Sequence, residues 1–265
     1  ERIMDEIGIT SFIGKYKAKT NYGFDLVGFV RLLIYGRILN PASKIATVNQ
    51  NNNYYSDVLK DVYEYNVYDT LSFLYDYKDK LINWVNNRLI SKFNRTTNVI
   101  YCDVTNFFFE IEEPDEEEDD LRKMGVSKEH RKQPIVQMGL FMDEQGVPIS
   151  IETFPGNTLD HLTLKNALNK SINNLNLDRF ILVGDRGMYR GDNSYYLTNM
   201  NNGYIISKSI EKTSKDEKEW IYNQEGYTVV SKDFKYKSRV IKRKVKVKDE
   251  LKDITEKVVV YFSKK

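Results

Sequence analysis

Val99-Ile100-Tyr101-Cys102-Asp103-Val104-Thr105 and Phe180-Ile181-Leu182-Val183-Gly184-Asp185-Arg186-Gly187 are the two stretches on which the fold turns. Each is an apolar run of strand character in which an aspartate follows four or five hydrophobic or small residues. A carboxylate at the end of a buried strand rides on rigid backbone. Two of them on neighbouring strands make a hard oxygen site suited to Mg²⁺. Two metal ions so held can activate an attacking oxygen and stabilise a leaving one in phosphodiester chemistry. The simpler reading is that each aspartate caps the turn that follows it through its own side chain. For either residue alone that reading is the stronger, so the surrounding sequence has to decide.

Outward from Asp103, the period is that of strands. Residues 99–109 read as one strand and 135–142 as a second; Asp143-Glu144-Gln145-Gly146 gives a turn, and 147–154 a third strand. A helix is expected over 159–173, with Asn157 and Thr158 as cap candidates. Residues 179–185 form the fourth strand and 194–200 a short helix. Three strands, a helix, a strand and a helix make an α/β order. In that order the fourth strand can lie parallel beside the first, bringing Asp185 against Asp103. Upstream, residues 22–95 carry helical spacing (Phe24, Val27, Val30, Leu33-Ile34; later Leu71, Leu74, Leu81, Trp84), interrupted at Asn40-Pro41. Downstream, residues 220–262 are rich in β-branched and aromatic residues. The expected organisation is a helical region over 1–96, an α/β core over 97–208 and a β-rich insertion over 209–265.

Composition sets the outer bounds. With 265 residues, 41% hydrophobic and 13% aromatic, the chain can bury a sizeable core. One cysteine, Cys102, excludes an internal disulfide framework and fits a reducing cytosol as a buried, inert thiol. Two histidines and that cysteine cannot build a zinc module of the usual kind. No apolar run is long enough to span a membrane and no signal peptide is visible, so a cytoplasmic protein is expected. The net charge of +2 hides strong segregation. Residues 110–120 hold nine acids and no base, whereas 232–248 hold nine bases against Asp233 alone. The acidic run reads as a solvated, self-repelling loop. Lys244, Lys246 and Lys248 alternate with valine, which puts three lysines on one strand face about 6–7 Å apart. That spacing suits a phosphate backbone, and it equally suits an edge strand guarded against aggregation. Trp220 could stack on a displaced base, though ordinary packing explains it as well. The chain starts at Glu1, not at a methionine, which suggests a piece of a longer protein.

Three further clusters surround the aspartates: Gly125-Val126-Ser127-Lys128-Glu129-His130-Arg131, Phe154-Pro155-Gly156-Asn157-Thr158-Leu159-Asp160, and Gly184-Asp185-Arg186-Gly187-Met188-Tyr189-Arg190. In this order and spacing they resemble bacterial insertion-sequence transposases of the DDE type, whose core is ribonuclease H-like. The nearest subgroup is the insertion sequence four-like superfamily, which carries a β-rich insertion between its second and third acid. The resemblance extends over about residues 25–265 and includes Arg37-Ile38-Leu39-Asn40-Pro41-Ala42-Ser43-Lys44.

The resemblance implies that Asp103 and Asp185 are the first two catalytic, metal-binding acids, the second within an Asp-x-Gly-x-Tyr element matched by Asp185, Gly187 and Tyr189. The family's third acid is a glutamate in a Tyr-x-x-Arg-x-x-x-Glu pattern. Tyr236 and Arg239 begin that spacing, but Arg243 stands where the glutamate should, so the chain is expected to be inactive alone. It further implies Mg²⁺ or Mn²⁺ in a two-metal site, double-stranded DNA as partner at element ends and target, and a homodimer on that DNA. Lys128, His130, Arg131, Arg186, Tyr189, Arg190, Lys244, Lys246 and Lys248 are the expected DNA contacts. Two other readings stay open: a catalytically dead, truncated DNA-binding protein, and a structure-selective nuclease on the same core.

Overall fold

The computed structural model describes the chain apart from residues 55–58, 60–62, 118–119, 126–131, 159–163, 166, 169–176, 178 and 265. It divides into two compact units, Glu1–Arg95 and Thr96–Lys265. The first is helical: α1 (Arg2–Glu6), α2 (Ile9–Lys17), α3 (Leu26–Leu39), α4 (Lys44–Asn49), α5 (Glu64–Asp76) and α6 (Lys78–Phe93). Asp25 starts α3 by accepting the Gly28 N–H, and Ser43 starts α4 by accepting that of Ala46, each satisfying an otherwise unpaired helical donor. Phe12, Ile13, Leu26, Val30 and Phe73 form one apolar cluster, and Phe29, Leu32, Val48, Leu59 and Val67 a second. The Trp84 indole N–H closes the bundle by donating to the Gly8 carbonyl at 2.9 Å. The helices begin earlier than the periodicity over 22–95 indicated, because α1 and α2 are short and gain their packing from α3 and α6. Asn94, in the left-handed conformation at φ 52°, ends α6.

The second unit contains β1 (Val99–Phe108), β2 (Ile135–Met142), β3 (Pro148–Pro155), β4 (Ile181–Gly184), α7 (Gly191–Asn199) and β5 (Gly203–Ile206). The strands form one sheet in the order β3-β2-β1-β4-β5. β1 runs antiparallel to β2 and parallel to β4, β2 antiparallel to β3, and β4 parallel to β5. A mixed five-stranded sheet in this order, with helices alongside, is the ribonuclease H-like arrangement. The β2–β3 turn is built by Asp143, whose Oδ1 accepts the Gln145 and Val147 N–H groups, and by Gly146 at φ 77°. Along β1, Ile100, Cys102 and Val104 point into a core shared with Phe141, Ile149, Phe180, Leu182, Met188 and Leu197. The intervening residues, Tyr101, Asp103, Thr105 and Phe107, are exposed on the other side, as the two-residue period of a strand requires.

Gly203–Ile206 is a fifth core strand that the sequence reading did not assign, because four residues are too few for alternation to register. The expected helix over 159–173 lies mostly outside the described residues. Four of its positions, Leu164, Lys165, Ala167 and Leu168, are helical, and three of these, Leu164, Ala167 and Leu168, are buried.

A second, three-stranded sheet follows α8 (Lys215–Tyr222): β6 (Thr228–Ser231), β7 (Phe234–Val247) and β8 (Glu250–Ser263), ordered β6-β7-β8 and antiparallel. The β-rich segment therefore opens with a helix. β8 includes the charged stretch from Glu250 to Glu256, because cross-strand pairing with β7 draws it in.

Candidate active site

Asp103 and Asp185 meet through strand register. Tyr101 pairs with Val183 and Cys102 with Gly184 across the parallel β1–β4 ladder. One residue further on, Asp103 stays within β1, paired with Leu140 of β2, while Asp185 stands just past the end of β4. Both are exposed, and both alternate with residues that enter the core, so both carboxylates emerge on the sheet face opposite the apolar cluster. Asp185 does cap the turn after it: its Oδ1 accepts the Gly187 N–H at 2.9 Å and opens a short 3₁₀ turn over Arg186–Met188. Met188 then plugs that turn into the core at 1% exposure. Capping fixes the orientation of the carboxylate, so here it serves the same end as ligation.

Cys102 reports on the pair from beneath. Its thiol is pushed far up from its ordinary value, first by burial and then by the negative charges of Asp103 and Asp185. The Cys102 side chain is buried in the apolar core. The remaining donors are hard carboxylate oxygens, which fit Mg²⁺ or Mn²⁺. Among the described residues no cluster of three or more His, Cys, Asp or Glu side chains could hold a metal together.

The expected DNA contacts separate into groups. Arg186 is exposed in the turn that Asp185 caps. Arg190 is paired with Asp192 at 3.1 Å at the start of α7. Lys244 and Lys246 are exposed on β7, whereas Lys248 stands beyond the strand, in the β7–β8 turn at φ 54°. The expected row of three lysines on one strand is thus a row of two followed by a turn lysine, because a tight hairpin needs a left-handed residue there. Lys128, His130 and Arg131 lie outside the described residues.

Tyr189 is half-buried and belongs to a network that motif reading overlooked. The Lys208 ammonium lies 5.6 Å and the Arg243 guanidinium 5.4 Å from its ring centroid. Burial, followed by the charge of Glu256, pushes its hydroxyl up to about 12. Arg243 forms a forked pair with the buried Glu256, which also accepts from the Tyr204 hydroxyl. Lys208 donates to Glu217 at 2.7 and 2.9 Å. One signal for this was present: Glu256 interrupts the inward set Val260, Val258 and Ile254 on β8, and an acid at an inward position needs a partner. Trp220 packs between Lys237 and Arg239, with centroid distances of 5.0 and 4.3 Å.

The acidic run folds back on bases that follow it. Arg122 Nε donates to Asp115 at 3.0 Å, and Lys123 donates to the Asp115 carbonyl at 2.7 Å.

Among solved structures, a piggyBac transposase synaptic complex with hairpin DNA is similar to this chain at 10% identity and a TM-score of 0.42, covering 90% of this chain and 50% of the other. A Mos1 transposase paired-end complex with the left transposon end matches at 12% and 0.30, covering 76% and 71%. A Mos1 strand transfer complex matches at 13% and 0.31, covering 76% and 66%. The chain spans about half the length of the piggyBac chain it matches. No family model and no curated protein matches the sequence.

Proposed function

We propose that this chain carries the nucleic-acid-cutting core of a DNA transposase of the DDE type. One observation carries the reading: Asp103, within β1, and Asp185, just past β4, stand one residue beyond the last pair of the parallel β1–β4 ladder, at the centre of a ribonuclease H-like sheet. Asp103 and Asp185 would hold Mg²⁺ or Mn²⁺, which when bound polarises a phosphodiester and the oxygen that attacks it. The protein's own share is placement. β1 and β4 fix the spacing of the carboxylates, the Gly187 N–H fixes the rotamer of Asp185, and Arg186 beside it offers a charged donor to a DNA phosphate. Strand cleavage at an element end would leave a 3′-hydroxyl, and attack of that hydroxyl on target DNA would be the second transfer. The partner is double-stranded DNA, bound by a homodimer in the bacterial cytoplasm, with the three segments over 1–96, 97–208 and 209–265 serving as helical region, core and insertion. No residue of this chain fits the third acid of the insertion sequence four-like pattern, so a glutamate from elsewhere would complete the site.

The test is a Mn²⁺ titration of this chain followed by calorimetry. Asp103→Asn and Asp185→Asn should each weaken binding at least tenfold, and the chain alone should leave DNA uncut. Unchanged Mn²⁺ affinity in both variants removes the metal centre. Robust cleavage by the unmodified chain refutes the need for a third acid.

A further inference from the structure

The β7–β8 hairpin has two unlike faces. Directly opposed residues of an antiparallel pair share a face, as do alternate residues along each strand. Lys237, Val245, Ile254 and Glu256 are buried on the inner face. The outer face carries Phe234, Tyr236, Val240, Lys242, Lys244 and Lys246 on β7, opposite Ser263, Tyr261, Lys257, Thr255, Asp253 and Leu251 on β8. At one end of it, Tyr236 and Tyr261 are directly paired and 38% and 68% exposed, and Phe234 lies beside them. The Phe234 ring centroid is 6.0 Å from that of Tyr261 and 6.4 Å from that of Tyr236. Toward the turn the face becomes basic, with Lys242, Lys244, Lys246 and Lys257 against one acid, Asp253. Lys246 also reaches Asp249 in the turn, at 3.8 Å.

Three exposed rings, then Val240 and Val259, then four lysines against Asp253 make an amphipathic strip. An unpaired nucleic-acid strand has the complementary chemistry: flat bases for the rings and regularly spaced phosphates for the ammonium groups. We propose that this face is a platform for single-stranded nucleic acid, with bases stacked on Phe234, Tyr236 and Tyr261 and phosphates held by Lys242, Lys244 and Lys257. From Tyr236 to Lys246 the strip runs roughly 34 Å at about 3.4 Å per residue. That length accommodates on the order of five nucleotides if successive phosphates match the spacing of about 6–7 Å between alternate strand residues. A second copy laid on the same face by a two-fold axis fits less well, because it sets lysines against lysines or desolvates them over aromatic rings. The platform deepens the nucleic-acid reading above, since it supplies a place for a strand freed by cutting, but it needs neither aspartate nor metal.

The experiment measures fluorescence anisotropy of a labelled oligothymidine twenty-mer and of a matching duplex with the whole chain, in EDTA. The triple variant Phe234→Ala/Tyr236→Ala/Tyr261→Ala should lose at least tenfold in single-strand affinity and less than threefold for duplex. Lys242→Ala/Lys244→Ala/Lys257→Ala should flatten the single-strand salt slope by up to about two units, three phosphates at about 0.7 each. Circular dichroism and melting verify that both variants fold, and Tyr261→Leu alone, at the most exposed ring, should cost at least twofold without disturbing the sheet. Asp103→Asn should bind the oligonucleotide like the unmodified chain, so failure of the metal reading leaves this result standing. Single-strand affinity within twofold of the unmodified chain in the aromatic variant overturns the proposal. So does a sedimentation shift to monomer in that variant with unaltered DNA binding, which would make the face a contact between copies.

Discussion

The two sheets of the second unit use alternation for opposite purposes. In the five-stranded sheet, β1 sends every second residue into an apolar core, while Asp103 within β1 and Asp185 just past β4 are exposed outside it. In the three-stranded sheet few residues are buried, and the inner face of the hairpin is held by charge as much as by apolar contact. The first sheet is a rigid mount that presents two exposed carboxylates from its central strands. The second is a broad surface whose own docking depends on a salt bridge.

That contrast is broken most directly by volume. Leu182→Ala, at 0% exposure, should destabilise the chain by about 2–5 kcal/mol in urea unfolding, as removal of a core leucine does. Val240→Ala, 67% exposed on the outer hairpin face, should change stability by less than about 0.5 kcal/mol. Equal costs would mean that the hairpin is a core element after all.

Charge comes next in size. Arg243→Ala leaves Glu256 buried without its forked partner and should cost on the order of 2–3 kcal/mol. That lies below the loss for a fully buried pair, since the Arg243 side chain keeps 28% exposure. Adding Glu256→Gln should recover part of the loss, because the orphaned charge goes with it. The same pair gives the hairpin a pH limit. Burial alone would raise the Glu256 carboxyl, but the hydrogen bonds from Arg243 and Tyr204 and the charges of Arg243 and Lys208 hold it below its ordinary 4.5. Its contribution is therefore complete above pH 4.5 and is lost as the pH falls through the lowered value. Amide exchange of β7 and β8 should accelerate there before that of β1 and β4 does.

The smallest effect belongs to α8. Ser214 accepts the Glu217 N–H at 3.3 Å, so Ser214→Ala should cost about 1 kcal/mol by thermal melting.

That helix also shows where sequence reading stops. Ser214-x-x-Glu217 has the sequence form of a capping box and marks a helix start that the reading missed; the Glu217 carboxylate itself accepts from Lys208. The aromatic and β-branched residues just beyond it pulled the reading toward strand. β1, β2 and the turn at Asp143 were legible because apolar alternation persists for eight residues or more and the turn residues are unambiguous. The Asp103–Asp185 juxtaposition was legible from two apolar runs and a parallel connection. The network of Tyr189, Tyr204, Arg243 and Glu256 was not, because its members come from four elements more than 60 residues apart end to end, and no local period marks a cross-element ion pair. The length of β8 was hidden likewise. Glu250, Asp253 and Glu256 look like loop residues until Val247, Lys244 and Arg243 stand opposite or beside them.

The β1–β4 pairing also sets a clock. Val99 and Ile181, the first partners of that ladder, are 82 positions apart (181 − 99), whereas β7 and β8 are joined by a turn of two residues. Local hairpins close in microseconds, and long-range parallel pairing is the slow step in folding. At about 5–20 residues per second, a ribosome needs about 4–16 s to move from the first partner to the second. During that interval Asp103 is already made and has no companion carboxylate. Until the fourth core strand has emerged, β1 can pair with β2 but not yet with β4.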